Sequence, residues 1–412
     1  MKKILLFTLI TIFILFSLDI IFINISTSRD LKTKNIDNID TQKEEIYNIN
    51  INKNQEELKV KGWYKIITDG KSLILKDVVL SNNKIYVFGQ NEKVNKNLFI
   101  LNTDKNGNIL LQKEIRIPSS TKINKVEYIN DNFYIVGTQD YKPVIYIINN
   151  SGEMIKSKIF EKNGEFLKII KDDYDSIYVV GYIIENSKKT GYFLEINKNL
   201  DKLNDYKITW YNNEFLTDIV TDRDYIYLLG NTNSTANNNN DIFLVKLNKL
   251  NYNDYSIAKF GKEQLNEYGY SLLKEDNHFY IIGYSTTINN FPWKVLTIKT
   301  DSRFNILWRN DYLLKRSSIG FSAHIFNNKI IISGYALERN NDFDGFEILL
   351  NKSDGILLKE NYYGEEYDER ILNSKLINNS IIISVGYQKK KDVISGIIIY
   401  TNPEGKLNGF IK

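Results

Sequence analysis

Four glutamates occupy the same position in a repeated sequence pattern. Each precedes a glycine by sixteen residues, or by seventeen in the last copy, which has one inserted residue. The four are Glu165, Glu214, Glu267 and Glu369. Carboxylate oxygens are ligands for Ca²⁺, and pairs of carboxyl groups cleave glycosidic bonds. The pattern predicts a cation site or the acidic residues of a polysaccharide hydrolase or lyase. A third interpretation is that each glutamate accepts hydrogen bonds from backbone amides of the neighbouring repeat.

The residue counts exclude several other kinds of chemistry. The 412-residue chain has no cysteine and two histidines, which excludes a disulfide framework, a thiolate or histidine-rich metal site and a thiol nucleophile. His278 lies in a predicted turn, and His324 lies in an apolar strand, where we expect a core or channel-lining role. With 54 basic and 50 acidic residues the net charge is only +4, so no nucleic-acid surface is expected. No catalytic signature stands out, which favours a binding protein but leaves catalysis open.

The elements that must position these residues repeat about every fifty residues. Each repeat has an apolar strand that ends in glycine, and in five copies a tyrosine lies three residues before that glycine. The seven glycines are Gly89, Gly137, Gly181, Gly230, Gly283, Gly334 and Gly386. We interpret the residue inserted before Gly386 as a β-bulge. A period of about fifty residues is typical of propeller blades rather than of helical solenoids.

Each repeat holds four strand signals, a to d, separated by turns rich in Asn, Asp and Gly. With no amphipathic helix between them, they predict an all-β fold, a seven-bladed β-propeller of four-stranded antiparallel blades over residues 58–412. A β-solenoid or a pair of β-sandwiches is the alternative, but solenoid coils are usually shorter and sandwiches need no fixed glycine phase. Residues 61–68 and 406–411 both look like strand d, and we favour the N-terminal strand for closing the ring.

The N-terminus indicates export from the cytoplasm. Met1–Lys3 are followed by an apolar run as far as residue 25, which predicts either a cleaved signal peptide or a retained transmembrane helix. Residues 26–57 are polar and charged, which predicts a flexible linker. The propeller is therefore expected in a bacterial cell envelope outside the cytoplasmic membrane, either anchored there or secreted.

The blade sequence resembles that of bacterial secreted β-propeller repeat proteins. The likeness rests on residues 241–247 (Asp-Ile-Phe-Leu-Val-Lys-Leu) and 107–110 (Gly-Asn-Ile-Leu). Strand b is also similar to the kelch repeat, and residues 301–308 are similar to the closing strand of quinoprotein blades. The resemblance implies the fold and a location in the envelope or outside the cell, and it implies no particular activity.

Strand order predicts which surface binds a ligand. The b-to-c and d-to-a connections share one face, here called the long-loop face because residues 182–190, 231–240, 285–292 and 336–344 look like long b-to-c loops. The four glutamates are expected there, around the mouth of the central channel. Phe291, Trp293 and Phe343 on the same face could stack on a sugar or dock a peptide. The expected partner is an envelope protein or a glycan, and the only cofactor considered is Ca²⁺.

Overall fold

The structure, a computed structural model, describes residues 62–68, 72–81, 83–92, 96–210, 212–233, 239–338, 342–364 and 367–405. The predicted N-terminal helix, the linker over 26–57 and the candidate strand over 406–411 lie outside these residues. In the part that is described, no helix is long and apolar enough to cross a membrane.

The described chain folds into seven antiparallel sheets of four strands, which confirms the propeller. Named from the channel outward, the strands of the first six blades are β2 (Leu73–Ser81), β3 (Lys84–Asn91), β4 (Leu98–Thr103), β5 (Ile109–Ile115); β6 (Lys122–Ile129), β7 (Asn132–Gln139), β8 (Lys142–Asn149), β9 (Met154–Ile159); β10 (Gly164–Lys171), β11 (Ile177–Glu185), β12 (Lys188–Ile196), β13 (Lys202–Ile208); β14 (Phe215–Thr221), β15 (Tyr225–Thr232), β16 (Asp241–Asn248), β17 (Asn251–Phe260); β18 (Leu265–Glu275), β19 (His278–Thr287), β20 (Trp293–Thr300), β21 (Ile306–Tyr312); β22 (Ser317–Phe326), β23 (Lys329–Leu337), β24 (Phe343–Asn351), β25 (Leu357–Tyr363). The seventh blade consists of β26 (Asp368–Ile377), β27 (Ile381–Lys390), β28 (Val393–Thr401) and, outermost, β1 (Trp63–Ile67).

The N-terminal strand closes the ring, as the sequence predicted. β1 pairs antiparallel with β28 from Trp63 opposite Tyr400 to Ile67 opposite Gly396. The indole of Trp63 stacks on Tyr400 with ring centroids 5.2 Å apart, and its Nε1 donates a hydrogen bond to the carbonyl of Lys105 at 3.1 Å. The two ends of the described chain therefore share one sheet, and the seventh blade has its full set of four strands.

The hydrophobic core lies between neighbouring blades. Each blade packs between two others, so strands b and c are covered on both faces. Their sequences are therefore nearly continuous runs of apolar residues. Between the first two blades, for example, the rings of Phe88 and Phe133 meet edge to face at 4.9 Å, and both side chains are fully buried. Each such side chain contributes about 1.5–3 kcal/mol by leaving water.

Every inner strand carries a β-bulge opposite the repeated glycine. In the first blade the pairing shifts between Leu75 and Asp77, and the other six inner strands shift at the equivalent place. The bulge brings a backbone oxygen of the inner strand close to the glycine. In six of the seven blades an added Cβ would lie only 1.8–2.6 Å from that oxygen, as for Gly283 beside the carbonyl of Tyr268. The glycine is thus needed for close packing rather than for ending the strand.

The bulge predicted in strand b of the last blade is wrong. β27 pairs with β26 and β28 without any irregularity of its own, and the residue shift lies in β26 instead. The inserted residue is accommodated in the turn 378–380, which is one residue longer than the two-residue turn 327–328 of the sixth blade. A turn at the surface absorbs an extra residue without disturbing the buried ladder.

The b-to-c connections are shorter than predicted, because strand b continues past its glycine. In the third blade the predicted loop 182–190 is mostly ladder, since Ile183 pairs with Thr190 and only Asn186 and Ser187 form the turn. The other three predicted loops shorten to 233–240, 288–292 and 338–342. The long-loop face keeps its position, but its loops differ less from those of the opposite face than the sequence suggested.

Candidate functional site

A cavity of about 570 Å³ opens at the mouth of the central channel on the long-loop face. The bulges build it, because a bulge turns one extra side chain out of the ladder. All seven bulged residues line the cavity, and we call them the bulge ring: Lys76, Asn124, Leu167, Thr217, Tyr270, Phe321 and Leu372. Each blade therefore contributes one side chain to the mouth from an equivalent position.

The residues that directly follow the bulged residues form a second ring, which contains two ion pairs. Its members are Asp77, Lys125, Lys168, Asp218, Ser271, Ser322 and Asn373. Lys168 and Asp218 pair at 2.9 Å, and Lys125 and Asp77 pair at 3.3 Å. Each aspartate also accepts a backbone N–H from the next inner strand, as Asp218 does from Leu272 at 2.8 Å. These bonds link the inner strands of neighbouring blades.

His324 lies deeper in the channel, on the wall of a smaller cavity of about 190 Å³. Its Nε2 is 3.2 Å from the hydroxyl of Ser374. Burial, with a contribution from the charge of Lys375, lowers the pKa of His324 to about 3. The imidazole is therefore uncharged at neutral pH, in agreement with the channel-lining role expected from the sequence.

The two sides of the mouth differ in chemistry. The cavity is lined by five lysines and by only two carboxylates, Glu165 and Asp218. The lysines are Lys76, Lys122, Lys125, Lys168 and Lys189, all from the first three blades. On the other side Tyr270 and Phe321, from the fifth and sixth blades, present rings whose centroids are 4.9 Å apart. The site thus has a cationic wall facing an aromatic wall.

Glu165 is the one predicted glutamate that lines the cavity. It accepts hydrogen bonds from Lys122 at 2.7 Å, from the Asn124 amide at 2.8 Å and from the Tyr182 hydroxyl at 3.1 Å. Burial alone would raise the pKa of Glu165, but the Lys122 charge and these hydrogen bonds together hold it below its ordinary value. The carboxylate is therefore ionised and fully engaged.

The other three glutamates are buried away from the cavity. Glu214 immediately precedes β14 and is 2% exposed. Glu267 accepts hydrogen bonds from Arg309 at 2.8 Å and from the backbone N–H of Lys262 at 3.0 Å. Glu369 accepts one from Gln388 at 2.5 Å, and burial raises its pKa to about 7. The structure does not bring the four carboxylates together.

Within the described ranges no three His, Asp or Glu side chains converge where a metal ion could be held. The backbone N–H that Glu267 accepts comes from Lys262, five residues earlier in the connection that leads into its own strand, so this contact is local and does not reach the neighbouring repeat that the third interpretation named. The Ca²⁺ site stays a prediction from the sequence.

The predicted aromatic residues lie on the long-loop face, outside the residues that line the cavity. Phe291 is 45% exposed and meets half-buried Trp293 edge to face at 6.5 Å. The backbone N–H of Trp293 donates to the Ser317 hydroxyl at 2.8 Å. The guanidinium of Arg370 lies 4.0 Å above the ring of Phe343. Both aromatic groups are thus already packed against neighbours.

A row of rings connects Phe343 to the cavity. Going outward from the cavity, the ring centroids are 5.3 Å apart between Phe321 and Tyr335, and 5.3 Å apart between Tyr335 and Phe343. All three residues are partly exposed. The aromatic wall therefore continues from the mouth across the sixth blade.

The sequence did not reveal the bulge ring, although it contains a signal for it. The ring residues lie thirteen positions before each repeated glycine, or fourteen in the third and seventh blades. The seven blades carry six different residue types at this position, whereas glutamate recurs sixteen positions before the glycine. The strand-b glycine is identical in all seven blades because the fold requires it, whereas the side chains that line the cavity vary from blade to blade.

No family model and no curated protein matches the chain. Among solved structures it is similar to polysaccharide lyase Uly1, with a TM-score of 0.53 and 8% identity over 80% of this chain and 90% of that one. It is also similar to a puromycin-hydrolyzing peptidase of Mycobacterium tuberculosis, with a TM-score of 0.50 and 6% identity over 82% of this chain and 54% of that one.

A third similar structure is the acylaminoacyl peptidase of Pyrococcus horikoshii, with a TM-score of 0.50 and 12% identity over 83% of this chain and 54% of that one. The chain spans about half the length of the two peptidases. At such low identity these similarities show the propeller fold alone.

Proposed function

We propose that this protein is a binding module that takes up a glycan at the mouth of its channel. The observation that carries the proposal is the bulge-ring cavity, whose volume of about 570 Å³ lies within the usual size range of small-ligand sites. Seven blades each direct one side chain into it from a rigid inner strand. Rigid strands position such groups more accurately than loops do.

The lining suits a sugar better than a protein surface. A sugar ring has an apolar face that packs on aromatic rings and an edge of hydroxyl groups that need hydrogen-bond partners. Tyr270 and Phe321 supply the rings, and other parts of the lining carry polar side chains whose donors bond within the protein, namely Asn124, Thr217 and Asn373. A folded protein partner would instead bury a broad and largely flat patch, typically about 800 Å² on each side.

The carboxylates favour binding over hydrolysis. Cleavage of a glycosidic bond uses one protonated carboxyl group and one carboxylate on either side of the bond. Glu165 is held ionised by three hydrogen-bond donors, and Asp218 is held by Lys168 and by backbone amides. The lowered pKa of Glu165 disfavours a general-acid role for it, and both oxygens of Asp218 already accept hydrogen bonds within the protein. A polysaccharide hydrolase or lyase acting through acidic residues is therefore the less supported alternative.

A location outside the cytoplasmic membrane is part of the proposal. It is supported by the basic Met1–Lys3 followed by the apolar run to residue 25, and by the resemblance of the blades to bacterial secreted propellers. A propeller displayed in the envelope would meet polysaccharides there.

Narrowing the cavity should weaken glycan binding. In the double variant Leu167→Trp/Leu372→Trp, bulky rings enter the cavity from the third and seventh blades, and we expect the affinity to fall at least about tenfold. The matched control is Leu203→Trp/Leu307→Trp on outer strands, where both leucines are about half exposed. Titration calorimetry of the full chain in detergent micelles, with a panel of neutral and acidic oligosaccharides, measures the effect. The proposal fails if no oligosaccharide binds, or if the narrowed variant binds as tightly as its control.

A further inference from the structure

The geometry points to an acidic glycan as the ligand: we infer that a carboxylate or sulfate group of the sugar binds the ammonium of Lys189, while the sugar ring packs against Tyr270 and Phe321. This inference rests on the proposed function and narrows it to one class of glycan. Four observations carry it: the charge balance of the lining, the surroundings of Lys189, the engagement of Glu165 and the position of the aromatic wall.

The lining carries an excess of positive charge, with five lysines against two carboxylates. Asp218 neutralises Lys168, and Asp77, which lies just below, neutralises Lys125. Glu165 neutralises Lys122. Lys76 is 3.6 Å from Glu92, which is within ion-pair range but beyond ordinary hydrogen-bond length. Lys189 is left as the cation of the lining whose charge no described carboxylate balances within 4 Å.

Lys189 is held in place by aromatic rings rather than by an anion. It lies at the start of β12, and its Nζ is 4.3 Å from the ring centroid of Tyr182 and 5.1 Å from that of Phe215. Such contacts orient an ammonium group without using its three N–H donors. Burial lowers the pKa of Lys189, and the nearby charge of Glu165 acts in the opposite direction. An anion in the cavity would supply the missing hydrogen-bond acceptor.

The negative charge of Glu165 does not prevent an anion from binding in the cavity. Its two oxygens are already occupied by Lys122, Asn124 and Tyr182, so its charge is compensated at short range. The Tyr182 hydroxyl donates to Glu165 while the Tyr182 ring supports Lys189. Tyr182 thus lies between the Glu165 carboxylate, whose hydrogen bonds are already made, and the Lys189 ammonium, which no described carboxylate contacts. An incoming anion can therefore bind the ammonium.

The aromatic wall lies on the opposite side of the same cavity. Tyr270 and Phe321 come from the fifth and sixth blades, whereas Lys189 comes from the third. Their rings are tilted by 41° with centroids 4.9 Å apart, so together they form a shallow angle on which a sugar ring can rest. A ligand that uses both walls needs an apolar face and an anionic substituent, and a uronic acid or a sulfated sugar has both.

The test compares Lys189→Met with Lys188→Met in the full chain. Lys188 is the neighbouring residue, is exposed, donates to Asn212 at 2.8 Å and does not line the cavity. The probes are an oligogalacturonate, a sulfated dextran oligosaccharide and an uncharged cello-oligosaccharide of similar length. We expect Lys189→Met to weaken binding of the preferred acidic probe roughly tenfold or more, because a charge-assisted hydrogen bond is lost. Lys188→Met and Lys189→Arg should bind as the wild type does.

The outcomes separate this inference from the proposed function. If the cello-oligosaccharide binds as tightly as the acidic probes, or if Lys189→Met binds the acidic probe unchanged, the inference is overturned and glycan binding stands. If none of the three probes binds, the inference is overturned, and the proposed function fails as well if no oligosaccharide of the wider panel binds. Tighter binding of the galacturonate than of the sulfated probe identifies the anion as a carboxylate, and the reverse identifies it as a sulfate. Equal melting temperatures of the two methionine variants show that any difference in affinity is not a folding effect.

Discussion

Replacing Asp218 by alanine should lower the free energy of unfolding by about 3–5 kcal/mol, the cost of breaking a buried ion pair from one side. Asp218 is 4% exposed, and three groups depend on it. Its Oδ1 is 2.9 Å from the Lys168 ammonium and accepts a hydrogen bond from the Ile219 backbone N–H, also at 2.9 Å. Its Oδ2 accepts a hydrogen bond from the Leu272 backbone N–H at 2.8 Å. Alanine leaves all three donors without their acceptor at the junction of three inner strands.

Urea unfolding followed by intrinsic fluorescence measures this loss. Glu185→Ala is the control, because Glu185 also pairs with two lysines, Lys162 and Lys207, but at the exposed end of β11. The loss in the control should stay within about 1 kcal/mol. A loss below that value in Asp218→Ala as well would show that the second ring of the channel does not hold the blades together.

Replacing Glu369 by glutamine should stabilise the protein by about 3 kcal/mol at pH 8 and have little effect below pH 4. Glu369 is 1% exposed, and burial raises its pKa from an ordinary 4.5 to about 7. Its Oε2 has no hydrogen-bond partner among the described residues, and neither has Oδ1 of Asp344. Both oxygens lie beside Gly364, where an added Cβ would be 3.2 Å from the first and 2.1 Å from the second. A glutamine amide would bring an N–H donor to a region where two carboxylate oxygens lack a hydrogen-bond partner in the described part of the chain.

The sign of the pH dependence follows from the raised pKa of Glu369. Below about pH 4 the carboxyl group is protonated in both the folded and the unfolded chain, so its ionisation does not lower the stability of the folded state. As the pH rises towards 7, the unfolded chain loses this proton first and the folded state becomes less stable. Well above pH 7 the carboxyl group is ionised in both the folded and the unfolded chain, and the folded state stays less stable by the full amount. Glutamine has no proton to lose, so its advantage over the wild type grows across this window.

Melting temperatures of the wild type and of Glu369→Gln, measured from pH 4 to pH 8, show how the difference in stability between the two proteins depends on pH. Other carboxyl groups with raised pKa values, such as Glu347, cancel in this difference. Glu165→Gln should show the opposite trend, because the folded pKa of Glu165 is lowered and its contribution to stability is lost as the pH falls. A difference in melting temperature between the wild type and Glu369→Gln that does not change with pH would show that the folded-state pKa of Glu369 is not raised.

Much of the fold could be predicted from the sequence because its main signals are local and repeated. The glycine of strand b recurs since the bulge of strand a requires it, as at Gly283, and this gave both the period and the number of blades. The likeness of residues 61–68 to strand d predicted the closing strand, because a propeller must pair its last sheet edge.

The site was harder to predict, because a bulge moves side chains from one face to another. Counting sixteen residues back from a glycine assumes an unbroken alternation, and a shift of one residue reverses which way a side chain points. Three of the four predicted glutamates lie three positions before the bulged residue of their strand, as Glu267 does before Tyr270, and they are buried outside the cavity. Glu165 lies only two positions before Leu167, and it lines the cavity. The ion pairs of Asp77 and Asp218 join residues about fifty positions apart, and no local pattern reveals them.

Hydroxyl-radical footprinting of the full chain, with and without the oligogalacturonate, tests most directly whether the bulge ring forms the ligand site. If the bulge ring binds the sugar, Tyr182, Tyr270 and Phe321 lose reactivity when the sugar is present. Tyr174, 60% exposed in the a-to-b turn of the third blade on the opposite face, should react unchanged. Protection of Tyr174 or of other surface residues, with the three cavity residues unaffected, would place the ligand elsewhere and show that the bulge ring is not its site.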